Sequence, residues 1–206
     1  MTQSNAASLD QRLMDISEKV LCVALFASLV MRLGPTLLSN PVNGFPILSD
    51  ALIVTFILSR RPSGTPLRLQ GWALALCATL LPLLIRPGGH ALVAPLAAAV
   101  VGLTGLSVNL WSKLTLRRSF GLAPANRGVV QSGPYSLVRH PMYLGYILTE
   151  VSFLLNNPNI WNVSVFAIAL GCQVARMRAE EQVLSLDSDY AAMLTRVRFR
   201  LVPGLF

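Results

Sequence analysis

Apolar residues fall into six blocks along the chain, at residues 20–38, 45–59, 69–85, 91–110, 142–155 and 160–175, with polar or charged stretches between them. A helix that crosses a bilayer needs about 20 apolar residues, with a working range near 17–25. The fourth block fits best, with no charge between Pro87 and Ser112. The second is short and carries Asp50 near its start, which reads as an interfacial acid. Pro35, Pro82 and Pro95 would end or kink helices in a soluble protein but are tolerated in membrane helices. The last two blocks flank Asn156-Asn-Pro-Asn159, a strong turn signal. Each is short for a full crossing, so residues 142–175 are expected to form a helical hairpin on a thinned or tilted path.

The first nineteen residues mix Asp10, Arg12, Asp15, Glu18 and Lys19 and lack the basic start and cleavage site of a secretory signal. They read as an uncleaved, cytoplasmic amphipathic lead-in. The expected organisation is a lead-in over 1–19, four transmembrane helices within 20–110, and a C-terminal region over 111–206 that holds the functional site and the hairpin. The fold class is all-α and integral to the membrane.

Composition supports this. The chain is 53% hydrophobic and 13% charged, with a mean hydropathy of +0.58. Soluble domains carry about 25% charged residues, and half of that cannot coat a water-facing surface. Disorder and small disulfide scaffolds are excluded on the same grounds. Cys22, Cys77 and Cys172 are isolated in apolar stretches, and His90 and His140 are the only histidines, so neither disulfides nor a metal site is expected.

The net charge of +8 raises nucleic-acid binding, but no basic stripe is interleaved with exposed aromatics. Membrane topology explains the charge better. Six segments return the chain to the side where it began. With a cytoplasmic N-terminus, Arg12, Lys19, Arg60, Arg61, Arg68, Lys113, Arg117, Arg118, Arg127, Arg139, Arg176, Arg178, Arg196, Arg198 and Arg200 all lie inside. That is 15 of the 17 Lys and Arg residues, leaving Arg32 and Arg86 at the outer face. The positive-inside rule predicts this asymmetry, and both termini are therefore expected in the cytoplasm.

Candidate chemistry begins at Lys113. One cluster is Ser132-Gly-Pro-Tyr-Ser-Leu-Val-Arg-His-Pro-Met-Tyr-Leu-Gly145; the other is Arg176-Met-Arg-Ala-Glu-Glu181, followed by Asp187-Ser-Asp-Tyr190 and Arg200-Leu-Val-Pro203. His140 precedes a proline suited to the first turn of a helix. It either anchors a helix end at the headgroups, with Tyr135 and Tyr143 as interfacial aromatics, or helps a helix start hold a polar ligand. Arg176 and Glu180 share one helical face, with Glu181 one position round and Arg178 within reach of it. They form either a solvated, salt-bridged helix end or a clamp facing a cavity. Glu150 lies inside a hairpin arm, where ionisable groups face a bundle interior. It reads as a neutral acid bonded to a buried amide or as a candidate base. His90 reads as a loop residue.

The order of the two clusters, with Leu116-Arg-Arg-Ser-Phe-Gly121 and Arg127-Gly-Val-Val130 upstream, resembles the isoprenylcysteine carboxyl methyltransferase family and its phospholipid methyltransferase relatives, particularly their bacterial members. The resemblance runs from about Trp111 to Phe206. It implies an integral membrane enzyme, of the bacterial inner membrane, that uses S-adenosylmethionine (AdoMet) from the cytoplasm and a lipophilic acceptor from the bilayer. By carry-over, His140, Pro141, Met142, Tyr143, Tyr135 and the backbone at Val129 and Val130 hold the cofactor, and Glu180 completes its pocket. Arg176 lies beside the transferring methyl, and Glu181 is a candidate base for an amine acceptor; a carboxylate acceptor of prenylcysteine type needs none. The competing readings are an NADPH-dependent, sterol-type membrane reductase and a non-enzymatic transporter or assembly protein on the same fold.

Overall fold

The structure, a computed structural model, describes residues 2–59, 69–116, 129–185 and 187–204. Arg60, Arg61, Arg68 and most of the upstream motif from Arg117 to Arg127 lie outside these. The described residues form seven α-helices: α1 (Thr2–Leu33), α2 (Gly44–Ser59), α3 (Leu69–Leu80), α4 (Pro95–Leu116), α5 (Pro141–Asn156), α6 (Ile160–Leu184) and α7 (Ser188–Arg196), with short 3-10 turns between α1 and α2, between α3 and α4 and before α5. The described residues contain no strand.

Four segments are long and apolar enough to cross a membrane: Lys19–Thr36, Pro41–Leu58, Pro95–Leu116 and Ile160–Leu184. The other two apolar blocks form shorter helices. α3 has 12 residues and α5 has 16, reaching about 18 Å and about 24 Å at 1.5 Å per residue, against a hydrocarbon core of about 30 Å. The outer surface is that of a lipid-facing protein, with Leu96 76% and Ile160 82% exposed; a water-soluble domain rarely presents so many large apolar side chains together.

Several boundaries differ from the sequence pattern: α3 ends at Leu80 rather than 85 and α4 runs from Pro95 to Leu116 rather than over 91–110, and two other differences bear on the site. No break occurs at residue 19, because α1 runs without interruption from Thr2 to Leu33. The second hairpin arm continues past residue 175 to Leu184. Residues 172–185 contain no Gly or Pro and are rich in Ala, Arg, Glu, Gln and Met, all strong helix formers. The polar cluster from Arg176 to Glu181 is therefore carried on the same rigid helix as the apolar arm. The turn between the arms falls as its residues dictate: Asn159 caps α6 by accepting from the Asn162 N–H at 2.9 Å.

The closest packing joins α4 to α5. A Cβ on Gly105 would meet the Gly145 carbonyl oxygen at 2.9 Å, and one on Gly145 would meet the Gly105 carbonyl oxygen at 2.8 Å. The two backbones thus touch, as small residues allow in membrane helix pairs. Ser152 Oγ adds a donor to the Ala98 carbonyl, 2.7 Å away and buried. At the far end of α5, Asn157 Nδ2 donates to Asn43 Oδ1 at 2.8 Å. There Asn162 Nδ2 donates to the Arg86 carbonyl at 2.8 Å, and the Arg86 guanidinium lies 4.5 Å from the Trp161 ring centroid. This amide network fixes one end of the bundle, and the ionic cluster described next fixes the other.

Candidate active site

Pro141 occupies the first turn of α5, where its missing N–H costs nothing, and His140 precedes it in a non-helical conformation. The C-terminal tail pins both residues before it. The Arg139 N–H donates to the Phe199 carbonyl at 2.9 Å and the His140 N–H to the Arg200 carbonyl at 2.8 Å. The Arg139 guanidinium donates to the Arg198 carbonyl at 2.6 Å. α6 brings its acids against this start.

Glu180 and Glu181 then diverge. Glu180 Oε1 accepts from the Tyr143 hydroxyl at 2.8 Å and from Arg176 Nε at 3.2 Å, the partner one turn earlier. Its Oε2 has His140 Nδ1 at 4.0 Å, beyond hydrogen-bond range. Glu181 Oε1 accepts from Arg139 Nη1 at 2.9 Å and faces His140 Nε2 at 3.2 Å. Arg200 grips both Glu181 oxygens, at 3.0 Å from Nε and 2.8 Å from Nη2. A carboxylate only accepts, so His140 Nε2 donates here, and Nδ1 is turned toward the Glu180 side. The bonds to Glu181 also raise the Arg200 guanidinium above its ordinary range.

Glu181, expected from the sequence as a base, thus has its oxygens engaged by three side chains and ties the tail to the start of α5. Arg178 points outward and is exposed, so it does not make the pair with Glu181 that the spacing allowed. Pro141 and Met142 are buried in the first turn. Tyr143 is buried with its ring edge-on to His140, and the Arg176 guanidinium lies 5.6 Å from the Tyr143 ring centroid. Tyr135 sits beside this group on a 3-10 turn, Gly133–Ser136, that Gly133 opens at φ +59°, a conformation suited to glycine. It packs with Val129, Val130, the α7 residues Tyr190 and Met193, and Val197 just after that helix. Burial, with Tyr146 and Glu180 nearby, raises its phenol, so it stays a protonated donor.

A cleft of about 640 Å³ opens between α2, α3, α5 and α6. Most of its wall is apolar, including Ile53, Ile85 and Phe166, with polar groups from Asp50, Thr79, Tyr146, Glu150 and Gln173. Tyr143 and Arg176 line its other end, so the two residues bonded to Glu180 also border an apolar chamber inside the bundle. Asp50 corrects the sequence reading. It is 6% exposed and faces this chamber rather than an interface, because it lies on the second turn of α2 with the α5 and α6 faces opposite. Glu150 accepts from Gln173 Nε2 at 2.9 Å. His90 is an exposed loop residue.

The sequence reading gave no role to Arg139 and Arg200, which hold Glu181. The sole signal was their position next to motif residues, since the partners are 42 and 19 positions from Glu181. Among the described residues no group of three or more His, Cys, Asp or Glu side chains could hold a metal ion. The model of the isoprenylcysteine carboxyl methyltransferase (ICMT) family matches residues 99–186, which takes in His140, Tyr143, Arg176, Glu180 and Glu181 but not Arg200. No curated protein matches the chain.

Proposed function

With the model of the isoprenylcysteine carboxyl methyltransferase family matching residues 99–186, we propose that the protein is an integral membrane methyltransferase that takes its methyl group from AdoMet and passes it to a small lipophilic acceptor. One observation carries the reading: Tyr143 and Arg176 touch Glu180 on one side and line the apolar chamber on the other. A polar cofactor and a lipophilic substrate would meet at that pair.

The donor set fits AdoMet, which presents an ammonium, a carboxylate and ribose hydroxyls and, when bound, supplies an electrophilic methyl on a sulfonium. Glu180 Oε2 has acceptor capacity for an ammonium or a hydroxyl, and His140 Nδ1 can accept from a second hydroxyl. The Tyr135 phenol is a donor, and the first turn of α5, at Pro141, Met142 and Tyr143, suits a carboxylate. Val129 and Val130 close the apolar side. Arg176 orients the acceptor where the apolar chamber meets Glu180. Glu181 acts as a positioning residue that holds His140 in place. Aligning the acceptor in line and excluding water supply much of the acceleration in such a displacement.

The same reading puts the cluster and both termini at the cytoplasmic face of a bacterial inner membrane, with the acceptor entering from the lipid. A reductase using NADPH would need net positive charge for the 2′-phosphate, whereas Arg139 and Arg200 are bonded to Glu181 and Arg176 to Glu180. The test is calorimetric titration of AdoMet, S-adenosylhomocysteine and NADPH into the detergent-purified protein. Saturable adenosyl binding that Glu180→Gln removes is expected. NADPH binding without adenosyl binding would overturn the reading in favour of the reductase, and binding of neither would favour a non-enzymatic role.

A further inference from the structure

The chamber between α2, α3, α5 and α6 is lined by acidic side chains that the cluster at the start of α5 does not reach. Arg176 at its mouth is bonded to Glu180. Asp50 has the Lys113 ammonium as its electrostatic counter-charge; that ammonium lies fully buried between the Tyr146 and Phe56 rings, 5.1 and 6.0 Å from their centroids. Glu150 remains. Its carboxyl accepts from Gln173 Nε2, a neutral amide donor. Gln173 Oε1 is buried with no hydrogen-bond partner, and Gln173 lines the same chamber at 2% exposure. An acid and an orphaned carbonyl oxygen thus border one cavity; the carbonyl only accepts, and the acid does so when a bound cation holds it ionised. Buried acceptors without donors cost free energy, and an acid inside a membrane bundle marks a ligand path by default.

From this geometry we infer that Glu150 and Gln173 form a subsite for a protonated amine on the lipophilic acceptor, so that the chamber selects basic amphiphiles. An ammonium favours the ionised form of Glu150, whose present partner is a neutral amide, and supplies a donor for Gln173 Oε1. A hydroxyl supplies a donor without the charge. A carboxylate would face Glu150, and the cation that lines the chamber, Arg176, is already bonded to Glu180. Gln173 lies three residues from Arg176, about 4.5 Å along the helix axis, so a nitrogen held there stays near the Arg176–Glu180 pair. The inference names the acceptor class for the proposed methyltransferase and rests on that reading, but binding of the amine can be measured without cofactor.

The experiment uses the full chain in phosphatidylcholine nanodiscs, with empty discs subtracted. Binding of radiolabelled dodecylamine, dodecanol and dodecanoate is compared in the wild type and in Glu150→Gln, Glu150→Asp and Gln173→Leu. Each variant is also melted and titrated with S-adenosylhomocysteine. The expected result is saturable binding of dodecylamine alone, weakened roughly tenfold or more by Glu150→Gln, partly restored in Glu150→Asp, and weakened by Gln173→Leu at unchanged melting temperature. Preference for dodecanoate or dodecanol by the wild type would overturn the subsite even if no variant folds, as would amine binding indifferent to both positions. Adenosyl binding without amine binding removes the subsite and spares the methyltransferase reading; amine binding without adenosyl binding does the reverse.

Discussion

Glu180 and Glu181 are adjacent in sequence, but successive residues on a helix are rotated by about 100°, and that rotation gives their carboxylates different partners. Glu180 keeps one oxygen beyond hydrogen-bond reach of His140, whereas Glu181 is held by Arg139, His140 and Arg200. Glu180→Gln and His140→Ala are therefore expected to weaken S-adenosylhomocysteine binding by roughly tenfold each, the scale of one charge-assisted hydrogen bond. Arg176→Ala should leave that affinity within about twofold while lowering turnover roughly a hundredfold, the scale of a lost orienting contact. Calorimetry and a methyl-transfer assay check this, and an equal loss of affinity in all three would refute the division of roles. Glu181→Gln should instead act on stability, by roughly 1–3 kcal/mol, a range kept low because Arg200 is a third exposed. The readout is a lower melting temperature with faster proteolysis of the tail. The Arg176–Glu180 pairing was legible because i,i+4 spacing on a helix has one outcome. The Arg139–Glu181–Arg200 clasp was not, because it joins three segments whose approach depends on the whole fold.

The element boundaries show a similar division. The apolar blocks and Asn156-Asn-Pro-Asn159 located α2 and the hairpin turn closely, because a change from apolar to turn-forming residues leaves little choice, whereas α3 and α4 were placed only to within four to six residues at their ends. The end of α6 was not legible from polarity, since helix propensity rather than hydropathy carries that helix through Arg176 to Leu184. The α4–α5 contact was also hidden, because a glycine in an apolar block gives no sign of what lies opposite. Gly145→Ala would put a Cβ 2.7 Å from the Asn109 Cβ and 2.8 Å from the Gly105 carbonyl oxygen. Backbone cannot yield as a side chain tip can, so a loss of roughly 1–3 kcal/mol is expected. Gly171→Ala, on α6 with nothing within 4 Å, is the control. It should be neutral or stabilising by roughly 0.5–1 kcal/mol, the usual gain for Ala over Gly inside a helix. Thermal unfolding of the two variants in one detergent measures the difference, and equal melting temperatures would mean that the helices do not pack backbone to backbone.

For the whole molecule, the charge pattern and the packing bear on one question, the orientation of the bundle. Arg32 and Arg86, the two cations that a cytoplasmic N-terminus leaves outside, both belong to the end with the amide network. Arg32 donates to the Leu83 carbonyl, and Arg86 lies over Trp161 beside Asn162. Arg139, Arg176 and Arg200 lie at the opposite end with His140, Glu180 and Glu181. If basic residues stay in the cytoplasm, the ionic cluster faces the compartment where AdoMet is made and the amide network faces away from it. In a bacterial host, alkaline phosphatase inserted after His90 should then be active, since it folds only outside the cytoplasm. The same enzyme fused after Phe206 should be inactive, and green fluorescent protein at that position should fluoresce. The opposite pattern would turn the cluster away from the cytoplasmic pool of methyl donor. It would leave the fold intact, but Glu180 and His140 could not then bind AdoMet from the cytoplasm, and the proposed function would fail for a reason no point substitution could reveal.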